Sequence, residues 1–166
     1  IKNDVLEVMA NGSLNYTVKG ICIGMKVTWN YTPPTNGGDT FTSIKKGSKA
    51  TLKIVQDEKN GFVKELYIQK EPDIDNRTFE AQLQKTVEQL QITYPFLSVK
   101  NKKNGTYLID IPQEKRLGHE EHFSKVAKAF LHYVDNKDMP EWENENTLAK
   151  YYITTTAVEM AKIGNK

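Results

Sequence analysis

The stretch "GFVKELYIQKEPDIDNRTFEAQLQKTVEQLQ", residues 61–91, contains the change of pattern that decides the fold. Its first part, residues 61–69, is rich in the β-branched and aromatic residues typical of strands. From Asp75 onward the apolar side chains recur at helical spacing, and Asp75 or Asn76 can cap the helix. These apolar positions are Phe79, Leu83, Val87 and Leu90. The sequence thus passes from strands to helices within a few residues, which is typical of an α+β domain.

The residues before this point predict an antiparallel meander. Short runs of strand-forming residues alternate with Gly and Asn-Gly turn signals. These runs cover residues 4–9, 13–18, 21–31, 40–46 and 49–56. Asn60-Gly61 then predicts a two-residue hairpin turn before the next strand.

The residues after the first helix predict one more hairpin and two more helices. The hairpin covers residues 97–112 around Asn104-Gly105, and the helices cover 119–136 and about 146–163. The first of these two helices carries an apolar stripe, made of Phe123, Val126, Ala127, Phe130, Leu131 and Val134. We therefore predict an α+β fold, a mostly antiparallel open β-sheet with about three helices packed on one face.

Composition narrows the class of protein. The 166 residues suit a single domain, and a net charge of +2 with scattered lysines does not predict a nucleic-acid partner. No apolar run approaches the length of a membrane helix. Cys22 is the single cysteine, so a Cys-based zinc site is not expected. The chain starts at Ile1 and not at Met, and it enters strand-like sequence within ten residues, so we expect either a mature form or a domain cut from a longer protein.

The stretch "RLGHEEHF", residues 116–123, is the first candidate site. His119 and His122 share one helical face, but a zincin helix spaces its histidines by four residues and a zinc ion needs a third ligand. Acidic residues in the first turn of a helix favour its dipole, which explains the two glutamates as local structure. A helix N-terminus with Arg116 and two histidines is also suited to an anionic or polyhydroxyl ligand. Local structure, ligand contact and metal binding all stay open at this point.

The second candidate is the stretch "VTWNYTPPTNGGDTF", residues 27–41. Trp29 precedes a loop with two prolines and two glycines, and Asp39 follows them. Such loops often carry binding residues, although a plain connection between strands would look the same. No glycine pattern in the chain matches a phosphate-binding or dinucleotide-binding motif.

Both stretches resemble those of a known family. "WNYTPPTNGGDT", "IDIP", "GHEEHF" and "MPEWENENTLAKYYITTTAVEMA" resemble the C-terminal region of oxidoreductases of the glucose–fructose oxidoreductase / inositol dehydrogenase (Gfo/Idh/MocA) family. The resemblance covers about residues 27–161. It implies that residues 1–166 are the C-terminal, substrate-binding and assembly domain of an NAD(P)-dependent oxidoreductase acting on a sugar or polyol, with the N-terminal domain absent from this chain.

The resemblance also implies partners and site residues. The cofactor, NAD or NADP, would bind the parent protein's own N-terminal Rossmann domain, with none in this chain and no activity from this chain alone. A sugar-like substrate would contact Arg116, His119, His122, Asp39 and Trp29, and no catalytic residue is assigned. A homo-oligomer through the open sheet face is possible. The alternatives are a stand-alone carbohydrate- or protein-binding module and a histidine-based metallohydrolase.

Overall fold

Seven strands and three helices follow one another in the described part of the chain, which comprises Asp4 and residues 10–164 of this computed structural model. The strands are β1 (Gly12–Val18), β2 (Ile21–Val27), β3 (Phe41–Lys46), β4 (Ala50–Gln56), β5 (Glu65–Lys70), β6 (Ser98–Asn101) and β7 (Thr106–Asp110). The helices are α1 (Asn76–Gln91), α2 (His119–Asn136) and α3 (Glu141–Gly164). The predicted α+β class, with antiparallel strands and three helices, is confirmed.

The strands form two sheets where the sequence analysis expects one. β1 and β2 form a hairpin, and the other five strands form an antiparallel sheet in the order β3-β4-β5-β7-β6. The separation falls in residues 28–40, which contain no strand. Pro33 and Pro34 lie in this segment and have no backbone N–H, so they cannot donate to a sheet.

The chain divides into two compact units. One contains Pro33–His119, and therefore the five-stranded sheet and α1; the other contains Ile1–Thr32 and Glu120–Lys166, and therefore the β1–β2 hairpin and nearly all of α2 with α3. We call them the sheet unit and the helical unit. None of the helices in the described part is long and apolar enough to cross a membrane.

The core of the sheet unit lies between α1 and one face of the sheet. Tyr107 is 4% exposed, its ring lies 5.6 Å from that of Phe79, and its hydroxyl donates to Glu80 Oε1 at 2.9 Å. Val87, which lies on α1 like Phe79, is 2% exposed. Burial, together with the hydrogen bond to Glu80, raises the pKa of Tyr107. Of the four apolar positions predicted for α1, Phe79, Leu83 and Val87 are thus buried or half-buried, whereas Leu90 is 44% exposed.

A buried lysine organises the connection from β5 to α1. Lys70 is 8% exposed, and its Nζ donates to the carbonyl oxygens of Glu71 at 2.9 Å, Pro72 at 3.4 Å and Ile74 at 2.5 Å. Such buried donors are stable only when they are hydrogen-bonded. The three bonds fix the turn that leads the chain from the sheet into α1.

The N-cap residue of α1, Asp75, comes directly after this turn in the chain. The Asp75 carboxylate accepts from Thr78 N at 2.8 Å, as predicted for the N-cap. This hydrogen bond lowers the pKa of Asp75 below its usual range, because it favours the charged carboxylate.

Three predicted boundaries differ from the structure. Asn60-Gly61 does not form a two-residue hairpin turn, because Asp57 and Asn60 form a capping box around a short 3₁₀ helix, Glu58–Asn60. β2 ends at Val27 and not at Tyr31. α3 begins at Glu141, directly after Pro140. The strand predicted over residues 4–9 lies outside the described residues apart from Asp4.

The early start of α3 has a physical reason. The helix predicted from about residue 146 begins at Glu141, so Trp142, Asn144 and Asn146 are all helical residues. Glu141 and Glu143 stand in its first turn, where carboxylates favour the helix dipole.

Candidate functional site

Three connecting segments meet at one end of the five-stranded sheet. They are residues 33–40 before β3, 57–64 between β4 and β5, and 111–118 after β7. Because neighbouring strands are antiparallel, β3 and β5 begin where β4 and β7 end. We call this place the loop end of the sheet. It lies wholly within the sheet unit.

The loop before β3 has a defined turn. Gly37 N donates to Pro34 O at 2.7 Å, and Asn36 at φ 62° takes the left-handed conformation that such a turn requires. A Cβ at Gly37 would lie 2.8 Å from the Pro34 ring and carbonyl, which is closer than real atoms approach. The turn therefore requires glycine at position 37. Asp39 follows it, exposed and ahead of β3.

Arg116 ties two of the three segments together. Its Nε donates to Ile111 O at 3.0 Å, and its Nη1 donates to Lys64 O at 2.6 Å. The side chain is half-buried. Arginine carries five N–H donors in a rigid planar group, so these two bonds fix the direction of the others.

The segment between β4 and β5 connects the Arg116 region with the loop that precedes β3. The Lys64 ammonium lies 5.1 Å from the centre of the Phe41 ring, a cation–π distance. The backbone carbonyl of Lys64 accepts the hydrogen bond from Arg116 Nη1. A methyl group at Gly38 would lie 3.5 Å from Phe62 Cβ, so these two residues lie close together. Asp39 and Arg116 thus belong to one structured end of the sheet. Three strand spacings separate their strands, about 14 Å.

A hydrogen-bonded acid and phenol lie on the sheet face opposite α1. Tyr67 OH donates to Glu65 Oε2 at 2.6 Å, and both side chains are half-buried. The hydrogen bond to Glu65, then burial, then the charges of Glu65 and Asp57 raise the pKa of Tyr67 to about 12. The phenol is therefore protonated at neutral pH and acts as a hydrogen-bond donor.

The five predicted site residues divide between the two units. Asp39, Arg116 and His119 belong to the sheet unit, whereas Trp29 and His122 belong to the helical unit. His119 and His122 are exposed in the first turn of α2. Trp29 is 74% exposed, and its backbone N–H donates to Asn11 Oδ1 at 2.6 Å. The structure therefore joins three of the five within one unit.

The described residues include no group of three or more His, Cys, Asp and Glu side chains that could hold a metal ion. His119 and His122 lie one helical turn apart, as the spacing predicts, and the structure gives them no third ligand within this part of the chain.

The sequence analysis did not select Lys64, Glu65 or Tyr67. A signal for the last two exists, because residues two apart on a strand share one face and a carboxylate there reaches a phenol. The Lys64–Phe41 contact has no local signal, since it depends on how β3 and β5 flank β4.

Comparison with known proteins assigns this arrangement to a class. The crystal structure of "a putative oxidoreductase from Parabacteroides merdae" matches 98% of this chain with a TM-score of 0.89 and 40% sequence identity. The chain spans 37% of the length of that protein. The chain thus shares its fold with one region of that longer protein.

The particular family follows from the sequence. Residues 1–162 match the family model described as "Putative oxidoreductase C terminal domain", and the chain belongs to this family. No curated protein sequence matches the chain.

Proposed function

We propose that this chain is the substrate-binding and assembly domain of an NAD(P)-dependent oxidoreductase of the Gfo/Idh/MocA class, acting on a sugar or a related polyol. The observation that carries the proposal is the family match over residues 1–162. A C-terminal oxidoreductase domain without a dinucleotide motif is suited to bind the substrate while another domain of the parent chain binds NAD or NADP.

The loop end of the sheet supports the substrate role. Asp39 offers carboxylate acceptors, Arg116 offers donors of fixed direction, and His119 stands at the start of α2. Polyhydroxyl ligands need several such donors and acceptors held in place. We assign Asp39, Arg116 and His119 to substrate contact in this unit. Trp29 and His122 belong to the helical unit, and substrate contact by these two residues stays a prediction.

The assembly role rests on the sheet face opposite α1. One row of residues crosses all five strands there, and within it Ile44 is 52% exposed whereas Leu108 is only 5% exposed. An exposed apolar side chain on the edge strand β3 favours a homo-oligomer through this part of the face.

The first experiment measures cofactor and substrate use. The protein encoded with this chain is purified at full length and incubated with NAD or NADP and a panel of sugars and polyols. We expect cofactor reduction with at least one substrate, and a KM at least about tenfold higher for Arg116→Ala, because a lost charged hydrogen bond costs that much. The isolated chain should bind neither cofactor. Micromolar binding of NAD or NADP by the isolated chain would contradict the proposal.

The alternative function, a stand-alone binding module, makes the opposite prediction. The residues encoded before Ile1 would contain no strand–turn–helix unit with G-x-G-x-x-G. The isolated chain would then bind a glycan by itself. Elemental analysis of the purified protein tests the third reading, a histidine-based metallohydrolase. That reading requires stoichiometric zinc in the wild type and its loss in His119→Ala.

A further inference from the structure

A continuous row of apolar side chains is exposed along α2. We call it the α2 stripe, and its members are Phe123 (65% exposed), Val126 (68%), Phe130 (63%), Leu131 (58%) and Val134 (55%). They recur at spacings of three and four residues, so they form one face of the helix. Contiguous exposed apolar faces mark interaction sites in soluble proteins.

Neither α3 nor the β1–β2 hairpin packs extensively against α2 within the described residues. α3 itself exposes large apolar side chains, among them Tyr152 (72%) and Met160 (67%). Burying one such side chain stabilises a protein by about 1.5–3 kcal/mol. Because the apolar side chains of α2 and α3 are exposed, they do not contribute the stabilisation that their burial would give.

The total exposed surface leads to the same conclusion. The chain exposes 14102 Å². Two compact domains of half its mass would together expose about 10,000 Å² even without touching each other. The ten residues outside the described part add at most about 1,700 Å² as extended chain. An excess on the order of 2,000 Å² remains, which is the size of a permanent interface.

The similar crystal structure indicates what covers such a surface. It matches 98% of this chain, whereas the matched region is 37% of its own chain. In that oxidoreductase, a length of polypeptide greater than this whole domain is therefore available beside it. A permanently linked domain is the partner for which a fixed apolar stripe is suited, because an obligate interface resembles a domain core.

We infer that the α2 stripe is the surface on which the remainder of the parent oxidoreductase chain packs. This inference rests on the proposed function, in which that remainder is the cofactor-binding domain. The cofactor-binding domain packs on the α2 stripe through apolar contacts around Phe130. It begins beside His122 in the first turn of α2, so the packed domain lies next to a proposed substrate residue.

The test uses hydrogen exchange in the full-length protein and in the isolated chain. We expect the amides of α2 to exchange at least about tenfold more slowly in the full-length protein, because packing suppresses local opening. Phe130→Glu should remove this protection. Ala129→Glu is the matched control, since it places the same charge on the adjacent, exposed residue about 100° around the helix. Circular dichroism of both variants in the isolated chain checks that α2 still forms.

Several outcomes overturn the inference. Equal exchange of α2 in both proteins would do so, as would protection already complete in the isolated chain. A dimer of the isolated chain that Phe130→Glu dissociates would assign the stripe to a second copy. The assay with sugars is independent: turnover without α2 protection refutes the inference alone, and α2 protection without turnover refutes the proposed function alone. If no further domain is encoded, both are wrong.

Discussion

The sheet unit and the helical unit differ in how they use their apolar residues. All five buried residues of the described chain lie in the sheet unit, namely Lys70, Val87, Tyr107, Leu108 and Ile109. α2 and α3 have none, although both are long and carry many large apolar side chains. The sheet unit has its own core, and the helical unit presents a surface that is suited to a partner.

This difference separates two meanings of an apolar pattern. In α1 the periodic apolar residues pack on the sheet of the same unit, and Val87 is almost fully buried. In α2 an equally regular stripe is exposed. Periodicity thus predicts a helix in both cases but does not tell which molecule covers its apolar face.

The largest expected effect comes from the core of the sheet unit. Ile109→Ala should lower the free energy of unfolding of the isolated chain by about 2–5 kcal/mol, because it leaves a cavity. Leu131→Ala, on the exposed α2 stripe, should change it by less than about 0.5 kcal/mol. Urea unfolding of both variants measures the contrast. A Leu131→Ala cost as large as that of Ile109→Ala would show that the helical unit has a core of its own.

The next effect concerns the buried lysine. Lys70→Met keeps the aliphatic length but leaves the carbonyls of Glu71 and Ile74 without their donor, so we expect a loss of about 1–3 kcal/mol. The same unfolding assay measures it. Lys49→Met is the control, since Lys49 is exposed. Equal stabilities of the two variants would contradict a structural role of the Lys70 ammonium.

A smaller effect is expected at the loop end of the sheet. Arg116→Lys keeps the charge but cannot make both bonds to Ile111 O and Lys64 O, so we expect a loss of about 1 kcal/mol. Lys115→Ala changes the exposed neighbour and should be neutral. An Arg116→Lys variant as stable as the wild type would mean that the segment is held by other contacts.

The smallest effect appears only at high pH. The pKa of Tyr67 is raised to about 12 in the folded chain, against about 10 when unfolded. The folded state therefore holds the proton more tightly, and this stability is present below pH 10 and lost as pH rises from about 10 to 12. Tyr67→Phe should remove this part of the pH dependence and the highest-pH step of the tyrosinate absorbance titration. If that step persists in Tyr67→Phe, the raised pKa belongs to another tyrosine.

Local patterns sufficed to predict much of the fold. The Asp75 cap, the bounds of α2 and the hairpin at Asn104-Gly105 each depend on residues close in sequence. The separation of β1 and β2 from the other strands and the pairing of β5 with β7 were not predicted, because both depend on which strands meet in tertiary packing and not on local pattern. The start of α3 was misplaced because Asn144 and Asn146 resemble caps but lie within a helix that Pro140 and Glu141 start earlier.

The candidate site was predictable in part. The Gly37-Gly38 loop and Arg116 were recognisable as unusual, and the structure places them at the same end of one sheet. Their connection through Lys64 could not be read from the sequence, since it joins residues far apart in the chain. The roles of Trp29 and His122 stay predictions, as does substrate contact by the other three.

The turn at Pro34–Gly37 separates the course of the loop from its chemistry. Its shape depends on one backbone hydrogen bond and on the missing Cβ of Gly37. Asp39 lies beyond the turn and takes no part in it. Related domains can therefore exchange the residue at position 39 without redirecting the chain. Under the proposed substrate role of Asp39, this position offers a route by which substrate preference can diverge in evolution while the scaffold stays constant.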